Sequence, residues 1–211
     1  RDNNTQIENG QIIPNFIDGD VFGYREKSAD QMKRFLLIRA FERRNYGNDI
    51  AIEAIKIASK WDGFEDLHFT IRGFGAEFAT LTADLKGLSN VVLEEQYSTL
   101  KEMATLHKDH GVFLCPSRFD TQGVTMGEAM ASGLVCITNP VTGIPEYIDE
   151  SCGVLAAPDD PMAYAKAIWH AKENPQLMLE LSKAASERVR VQCGQEQTVD
   201  REIALFMPSS S

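Results

Sequence analysis

Residues 112–133 read VFLCPSRFDTQGVTMGEAMASG, and this stretch decides how the chain folds. Its apolar run at 112–115 is typical of a buried strand, and the run breaks at Pro116 before a polar loop that contains Gly123. Good helix formers then follow as far as Gly133. The pattern predicts a strand, a loop and a helix, and the free backbone N–H groups at the start of such a helix suit a phosphate group.

The same alternation of apolar runs and helical patterns extends along the whole chain. The predicted strands lie at 35–38, 68–71, 90–93, 112–115, 134–138 and 153–155. The predicted helices lie at 49–60 and 76–85, then from about 99 to 107, from 124 to 133, and at 161–172, 176–191 and 195–207. About six short strands that alternate with helices predict an α/β fold, with a Rossmann-like parallel sheet and helices on both faces.

The length of 211 residues fits one domain with appendages. Residues 1–30 are polar and irregular, and we interpret them as a linker with one short edge strand near 11–14. The Rossmann-like domain is predicted at 31–191, and a C-terminal helix and tail at 192–211. The chain begins with Arg1 instead of Met, as a fragment of a longer protein would.

The composition argues against several classes of protein. The formal net charge of -10 repels nucleic acid and anionic lipid, and no cluster of Lys and Arg interleaved with aromatic residues offsets it. The sequence has no long apolar run and no signal peptide at its start, so we expect a soluble, cytoplasmic protein without membrane insertion. Its 4 cysteines form no CxxC pair, and we expect buried thiols.

Three shorter patterns suggest sites that have simpler interpretations. Residues 18–20 (DGD) could bind a metal ion, but a polar turn is the simpler interpretation. Residues 73–75 (GFG) mimic a dinucleotide fingerprint, yet Phe78 stands where its third glycine belongs, which argues against NAD. Residues 3–5 (NNT) match a glycosylation acceptor, and we interpret this as a chance match. A Gly-x-Ser-x-Gly elbow is absent from the sequence, and the histidines lie in different units, so a serine hydrolase is not expected.

Five motifs resemble those of family 4 retaining glycosyltransferases, in order and in spacing, along nearly the whole chain. They are 15–18 (NFID) with Phe22, 39–44 (RAFERR), 116–120 (PSRFD), 128–133 (EAMASG) and 143–146 (GIPE). The resemblance implies a GT-B architecture, in which two Rossmann-like domains face each other across the active site. This chain looks like the C-terminal, donor-binding domain, and the N-terminal, acceptor-binding domain would be absent from it.

The resemblance also implies roles for individual residues. Glu128 matches the second carboxylate of the family's E-x7-E pattern and would hold the ribose hydroxyls of a nucleotide sugar, because a carboxylate can accept two hydrogen bonds from a vicinal diol. Asp120 matches the first carboxylate, near the transferred sugar. The backbone at Gly123, Val124 and Thr125 would meet sugar hydroxyls and phosphate at the start of the helix.

Two arginines complete the implied catalytic set with Asp120. Arg39 and Arg44 match the family's basic pair, and they would neutralise the diphosphate both on binding and on departure. The resemblance implies that no cofactor and no divalent metal ion is required. At three places the chain departs from the family: it has Asp120 for Glu, Arg-Asn at 44–45 for Lys-Gly, and Thr-Gln at 121–122 for Gly-Phe.

The predicted function is transfer of a sugar from a nucleoside diphosphate sugar to a glycan or lipid-linked acceptor, with retention. The acceptor, and any peripheral membrane association, would be contributed by the missing N-terminal domain, so this chain is expected to bind nucleotide without turning it over. Two alternatives stay open. One is half of a nucleotide-sugar epimerase of the same architecture, and the other is a non-catalytic interaction domain, suggested by the substitutions at Asp120 and Gln122.

Overall fold

Six parallel strands form the central sheet of the computed structural model, which describes residues 10–207. They are β1 (Arg34–Ala40), β2 (His68–Phe74), β3 (Val91–Glu95), β4 (Val112–Cys115), β5 (Val135–Thr138) and β6 (Val154–Leu155). The order across the sheet is β3-β2-β1-β4-β5-β6. Strands β2 and β3 are added on one side of β1, and β4, β5 and β6 are added on its other side, so the strand order reverses between β1 and β4. The predicted fold class is therefore confirmed.

Helices cover both faces of the sheet. They are α1 (Asn48–Ala58), α2 (Phe78–Leu81), α3 (Leu100–Asp109), α4 (Val124–Ala131), α5 (Pro161–Glu173), α6 (Pro175–Cys193) and α7 (Val199–Phe206). Strand β1 shows why both faces need cover: Phe35 and Leu37 pack in the cluster with α1 and α5, whereas Leu36 and Ile38 pack in the cluster with α3 and α4. A strand buried on both faces gives the continuous apolar run seen in the sequence.

The expected edge strand near 11–14 is wrong, because residues 10–33 contain no strand. Pro14 has no N–H for a ladder bond, and the side chain of Ile12 is exposed. The segment is held by single contacts instead, among them a bond from the Ile17 N–H to the carbonyl of Cys193 at 2.9 Å. The residues at 11–14 pair with no strand of the sheet.

Two predicted helices are shorter than expected. One helix is predicted at 76–85, but the structure has the short helix α2 followed by a separate 3-10 turn at Ala83–Leu85. Between them the buried Thr82 hydroxyl donates a hydrogen bond to the carbonyl of Phe78 at 2.8 Å, and such back-bonding by a β-branched residue disfavours helix continuation. In place of 195–207, a 3-10 turn at Gln195–Gln197 precedes α7.

Three further features concern the cysteines, residues 18–20 and the apolar character of the helices. The four cysteines are free and buried, as expected. At 18–20 the Asp18 carboxylate accepts a bond from the N–H of Asp20 at 2.9 Å, which is the expected polar turn. Among residues 10–207, no helix combines the length and apolar character needed to cross a membrane. The possible glycosylation acceptor at 3–5 lies outside the described residues.

Gly73 in β2 lies opposite Arg39 of β1, where the two strands pack closely. A Cβ atom there would lie 2.1 Å from the carbonyl oxygen of Arg39 and 2.7 Å from the ring of Phe41. We expect Gly73→Ala to lower the free energy of unfolding in urea by about 1–3 kcal/mol through overpacking. Gly19→Ala is the control, because no atom lies within 4 Å of its added Cβ. Equal stabilities of the two variants would contradict this view of the β1–β2 contact.

Candidate functional site

A cavity of about 290 Å³ opens at the carboxyl ends of β1 and β2, beside the first turns of α3 and α4. This is the region where the order of the sheet reverses, and open α/β sheets bind their ligands there. Its walls include Arg39, Tyr46, Ser98, Thr125 and Glu128. Three of the residues predicted from the sequence, Arg39, Thr125 and Glu128, are thus brought into one cavity.

Four residues of the cavity wall each have a buried side-chain atom with no hydrogen-bonding partner within residues 10–207. These atoms are Nε of Arg39, Oγ of Ser98, Oγ1 of Thr125 and Oε2 of Glu128. Buried polar groups in folded proteins are almost always hydrogen-bonded, because an unmet donor or acceptor costs about 1–3 kcal/mol. A concentration of such atoms around one cavity indicates a site shaped for a polar ligand.

Glu128 is the most buried charged group of the cavity, with 8% of its surface exposed. It lies in the middle of α4, where its helix neighbours are small or apolar. Burial raises the pKa of its carboxyl to about 7, because the ionised form loses hydration. Donor groups from a ligand would compensate this loss, and a perturbed pKa in a cavity is typical of functional sites.

Arg39 supplies a fixed positive charge at the end of β1. Its guanidinium lies 4.9 Å from the centre of the Tyr46 ring, and its Nη2 lies 3.7 Å from Oδ2 of Asp120. Only 9% of the Arg39 side chain is exposed. A cation held in this way loses little freedom when it binds an anion.

The carboxylate of Asp120 stabilises the turn that leads into α4. Its Oδ1 accepts hydrogen bonds from the backbone N–H groups of Gln122 at 3.2 Å and of Gly123 at 2.8 Å. Gly123 has a φ of 75°, a conformation that favours glycine, and the turn therefore depends on both residues. The other carboxylate oxygen faces Arg39, and a position near a transferred sugar remains a prediction.

The side chain of Gln122 forms hydrogen bonds within the protein. Its Oε1 accepts bonds from the backbone N–H of Asn15 at 2.7 Å and from the Asn15 side chain at 2.9 Å, and its Nε2 donates to the Asn15 carbonyl at 3.1 Å. The residue that replaces the family's usual aromatic therefore fastens the segment around Asn15 to the start of α4. Its Nε2 also donates to Sγ of Cys193 at 3.7 Å, so both protons and both acceptor positions of the amide are used.

The remaining predicted residues lie outside the cavity wall. Arg44 is exposed, begins the 3-10 helix Arg44–Tyr46 and forms no side-chain ion pair within residues 10–207. Val124 is partly exposed at the first position of α4, and the N–H of Gly123 already bonds Asp120. The roles proposed for these residues stay predictions.

Reasoning from the sequence missed part of the cavity. Ser98 and Tyr46 line it, as do the exposed rings of Phe74 and Tyr97, whose centres are 5.6 Å apart. Phe74 ends β2, and both Tyr97 and Ser98 follow β3 closely. The sequence contains one sign that these residues could line a site, namely that they follow the carboxyl end of a predicted strand. That sign identifies a cavity only when the order of the strands in the sheet is known.

Arg118, within the motif at 116–120, has a structural task. Its guanidinium binds both carboxylate oxygens of Asp49 at 2.7 and 2.9 Å, and it donates to the backbone carbonyl of Arg44 at 2.9 Å. These contacts fasten the loop after β4 to the first turn of α1 and to the loop before it.

The predicted absence of a metal requirement is not decided by this geometry. Across the described residues, no three or more His, Cys, Asp or Glu side chains are grouped so that they could hold a metal ion. Two of the predicted site residues are carboxylates, Asp120 and Glu128. The carboxylate of Asp120 already contacts Arg39 and the backbone of the turn before α4.

Comparison with known proteins agrees with this architecture. The family model for glycosyl transferases group 1 matches residues 32–174. The amylovoran biosynthesis glycosyltransferase AmsK of Erwinia amylovora is 29% identical over 192 residues, which are 85% of this chain and 46% of that protein. The chain spans about half the length of the curated relatives that it matches.

Solved structures share the fold at lower identity. A mutant of S. aureus TarM, solved with fondaparinux, alpha-GlcNAc-glycerol and UDP, gives a TM-score of 0.80 at 21% identity and covers 98% of this chain and 41% of that chain. The C-terminal domain of the group 1 family protein LpcC from Francisella tularensis gives 0.72 at 20% identity, covering 84% of this chain and 98% of that chain.

The burial of Glu128 predicts a pH dependence of stability. Since burial raises its pKa from 4.5 to about 7, the protonated carboxyl is favoured in the folded state. Its contribution is complete below the unfolded pKa and is lost as the pH rises through about 7. We expect the free energy of unfolding of the wild type, relative to Glu128→Gln, to fall between about pH 5 and about pH 8. Urea unfolding of both proteins measures this difference, and other titrating groups cancel in it. A difference that is constant with pH would refute the assigned pKa.

Proposed function

The chain belongs to the group 1 glycosyl transferases, and we propose that it is the C-terminal, donor-binding half of a family 4 retaining enzyme. The reaction is transfer of a sugar from a nucleoside diphosphate sugar to a glycan or lipid-linked acceptor. The acceptor is held by a domain beyond this chain, which spans about half the length of its curated relatives. The cluster of four unpartnered polar atoms around Glu128 carries the proposal.

The chemistry of these atoms suits a nucleotide. The buried Glu128 carboxylate has an acceptor oxygen without a partner, which complements the two hydroxyls of a ribose. The unpartnered hydroxyl of Thr125 lies on the same helix, one turn earlier. Ionisation of Glu128 would become favourable once two ribose O–H groups donate to it, so ligand binding offsets the cost of its burial.

Arg39 and the first turn of α4 can bind the diphosphate. The N–H of Arg39 Nε is unpartnered, and the guanidinium is held between Tyr46 and Asp120. The first N–H groups of a helix have no partner within the helix, so those of Val124 and Thr125 can donate to phosphate oxygens. As the sugar leaves, negative charge grows on the diphosphate and these contacts strengthen, which favours the transition state. We propose that these groups and Arg44 replace a divalent metal ion, and that no cofactor takes part.

Two aromatic rings at the rim of the cavity are placed to stack on a nucleobase. Phe74 and Tyr97 are 38% and 70% exposed, and both line the cavity. An exposed aromatic face stabilises a stacked base by about 1–3 kcal/mol. The base would then lie at the end of β2, with the ribose and diphosphate extending toward α4.

Calorimetric titration with UDP and with GDP tests the proposal on this chain. We expect micromolar to millimolar binding of at least one nucleotide, because this chain supplies Arg39, Thr125, Glu128 and the aromatic rings of the cavity. Glu128→Ala should weaken the binding by about tenfold or more, which corresponds to about 1.4 kcal/mol or more. Glu65→Ala is the matched control, since Glu65 is exposed and lies in the 3-10 turn before β2. Absence of binding to either nucleotide by the folded protein would refute the proposal.

A second titration separates the task of Arg39 from that of the base and ribose contacts. Arg39→Gln should weaken UDP by about tenfold and leave uridine nearly unchanged, because only the diphosphate needs the positive charge. Arg43→Gln removes the same charge from an exposed position in the following loop and should change neither ligand appreciably. Equal losses for UDP and uridine in Arg39→Gln would contradict the role given to this arginine.

A further inference from the structure

The side chain of Gln96 lies in the wall of the cavity of Glu128, just after the end of β3. Gln96 is exposed, and it directly precedes Tyr97, whose ring lies beside that of Phe74 at the rim. An exposed side chain in this wall is accessible to a ligand that occupies the cavity. Its position beside the two rings places it next to the proposed nucleobase, away from the ribose and the diphosphate.

The orientation of the Gln96 carboxamide is set by Arg72. The guanidinium of Arg72 is buried and is held by Glu94, whose Oε2 accepts a hydrogen bond from Nε at 2.6 Å and lies 2.6 Å from Nη2. The carboxamide oxygen of Gln96 lies 3.1 Å from the same Nη2 and 3.3 Å from Nε. Nη2 has two hydrogens and can serve both partners, and because arginine only donates, the group that faces it must be the oxygen of Gln96.

The nitrogen of that carboxamide is therefore the free group. Nε2 of Gln96 forms no hydrogen bond with another part of residues 10–207, and an amide nitrogen donates but does not accept. Rotation of the amide by half a turn would present an acceptor, but it would also break the charge-assisted bond to Arg72. Gln96 thus offers the cavity hydrogen-bond donors only.

The order of the strands decides which end of a nucleotide Gln96 would meet. Glu128 and the first turn of α4 follow β4, whereas Gln96 follows β3, and β1 and β2 lie between these two strands. Three steps of about 4.8 Å separate β3 from β4, so the two walls are on the order of 14 Å apart. With the ribose and the diphosphate at α4, the base points toward β3, and its edge remote from the ribose faces Gln96.

We propose that Gln96 determines base specificity and selects a keto base, uracil or guanine, over the amino bases cytosine and adenine. This inference rests on the proposed nucleotide site. A base stacked on an aromatic ring keeps its polar edge free for hydrogen bonds. On the edge remote from the ribose, a keto base presents a carbonyl oxygen that accepts from Nε2 of Gln96, whereas an amino base presents a second donor and leaves both donors unmet. Arg72 is a positioning residue, since it acts through Gln96.

Calorimetric titration of the whole chain with UDP, CDP, GDP and ADP tests this specificity. We expect at least one keto nucleotide to bind about fivefold or more tightly than the amino nucleotide of the same ring size. The pairs UDP with CDP and GDP with ADP also distinguish a pyrimidine from a purine as the preferred base. Equal or reversed affinities within both pairs would overturn the role of Gln96 and leave the nucleotide site intact. Absence of binding by all four would overturn both.

Two replacements of Gln96 change its hydrogen-bonding character in different ways. Gln96→Leu removes the donor and should bring the two affinities of the selected pair within about twofold. Gln96→Glu offers acceptors only and should favour the amino nucleotide, while its added charge acts equally on the diphosphate of both members. Gln176→Leu is the matched control, because Gln176 is exposed on α6, and it should keep the wild-type preference. An unchanged preference in Gln96→Leu would refute the assignment.

Arg72→Lys tests the positioning role. Lysine keeps the charge beside Glu94 but lacks the planar fork that also holds the oxygen of Gln96. The amide of Gln96 is then free to present either end, so the ratio of keto to amino affinity should fall toward one in a variant that urea unfolding shows to be folded. A purely structural role of Arg72 would weaken both nucleotides equally and leave that ratio unchanged, which would contradict the inference.

Discussion

The structure depends on keeping one carboxylate, that of Glu128, inside the protein without a protein partner. Such burial is unfavourable, because an ionised carboxylate loses its hydration and a neutral one still has unmet polar atoms. Natural proteins retain features of this kind at sites where a ligand supplies the missing contacts. The raised pKa and the unpartnered oxygen of Glu128 are therefore two consequences of the same placement.

That placement requires a short, strongly constrained loop between β4 and α4. Asp120 binds the N–H of Gly123, whose left-handed backbone turns the chain into the helix. A carboxylate one methylene longer would have to adopt a different geometry to make the same local bonds, so the aspartate suits this turn. It leaves Oδ2 at 3.7 Å from Arg39, and one residue thus connects the start of the helix to the cation of the cavity. The departure from the family's usual glutamate has a structural explanation in this chain.

The sequence was sufficient to predict the sheet, because strands buried on both faces leave continuous apolar runs and helices leave a different period. The resemblance also singled out Arg39, Thr125 and Glu128, which lie together in the wall of one cavity, and their roles stay predictions. The sequence could not predict the bond between Gln122 and Asn15, which joins residues 107 positions apart and has no local pattern. The same is true of Ser98 and Tyr97, which become part of the cavity only through the strand order. The false edge strand near Pro14 shows the opposite error, in which a local pattern had no tertiary partner.

The contacts of Gln122 also connect the cavity to segments that enter and leave the domain. Asn15 is fastened to Gln122, and two residues later the N–H of Ile17 binds the carbonyl of Cys193 at the end of α6. The side chain of Ile17 packs so closely on α4 that a Cβ at Gly127 would lie 3.1 Å from its terminal carbon. Residues 15–17, the end of α6 and the first turns of α4 are therefore joined by direct contacts. These contacts connect both segments to the loop of Asp120, because Gln122 lies two residues after Asp120.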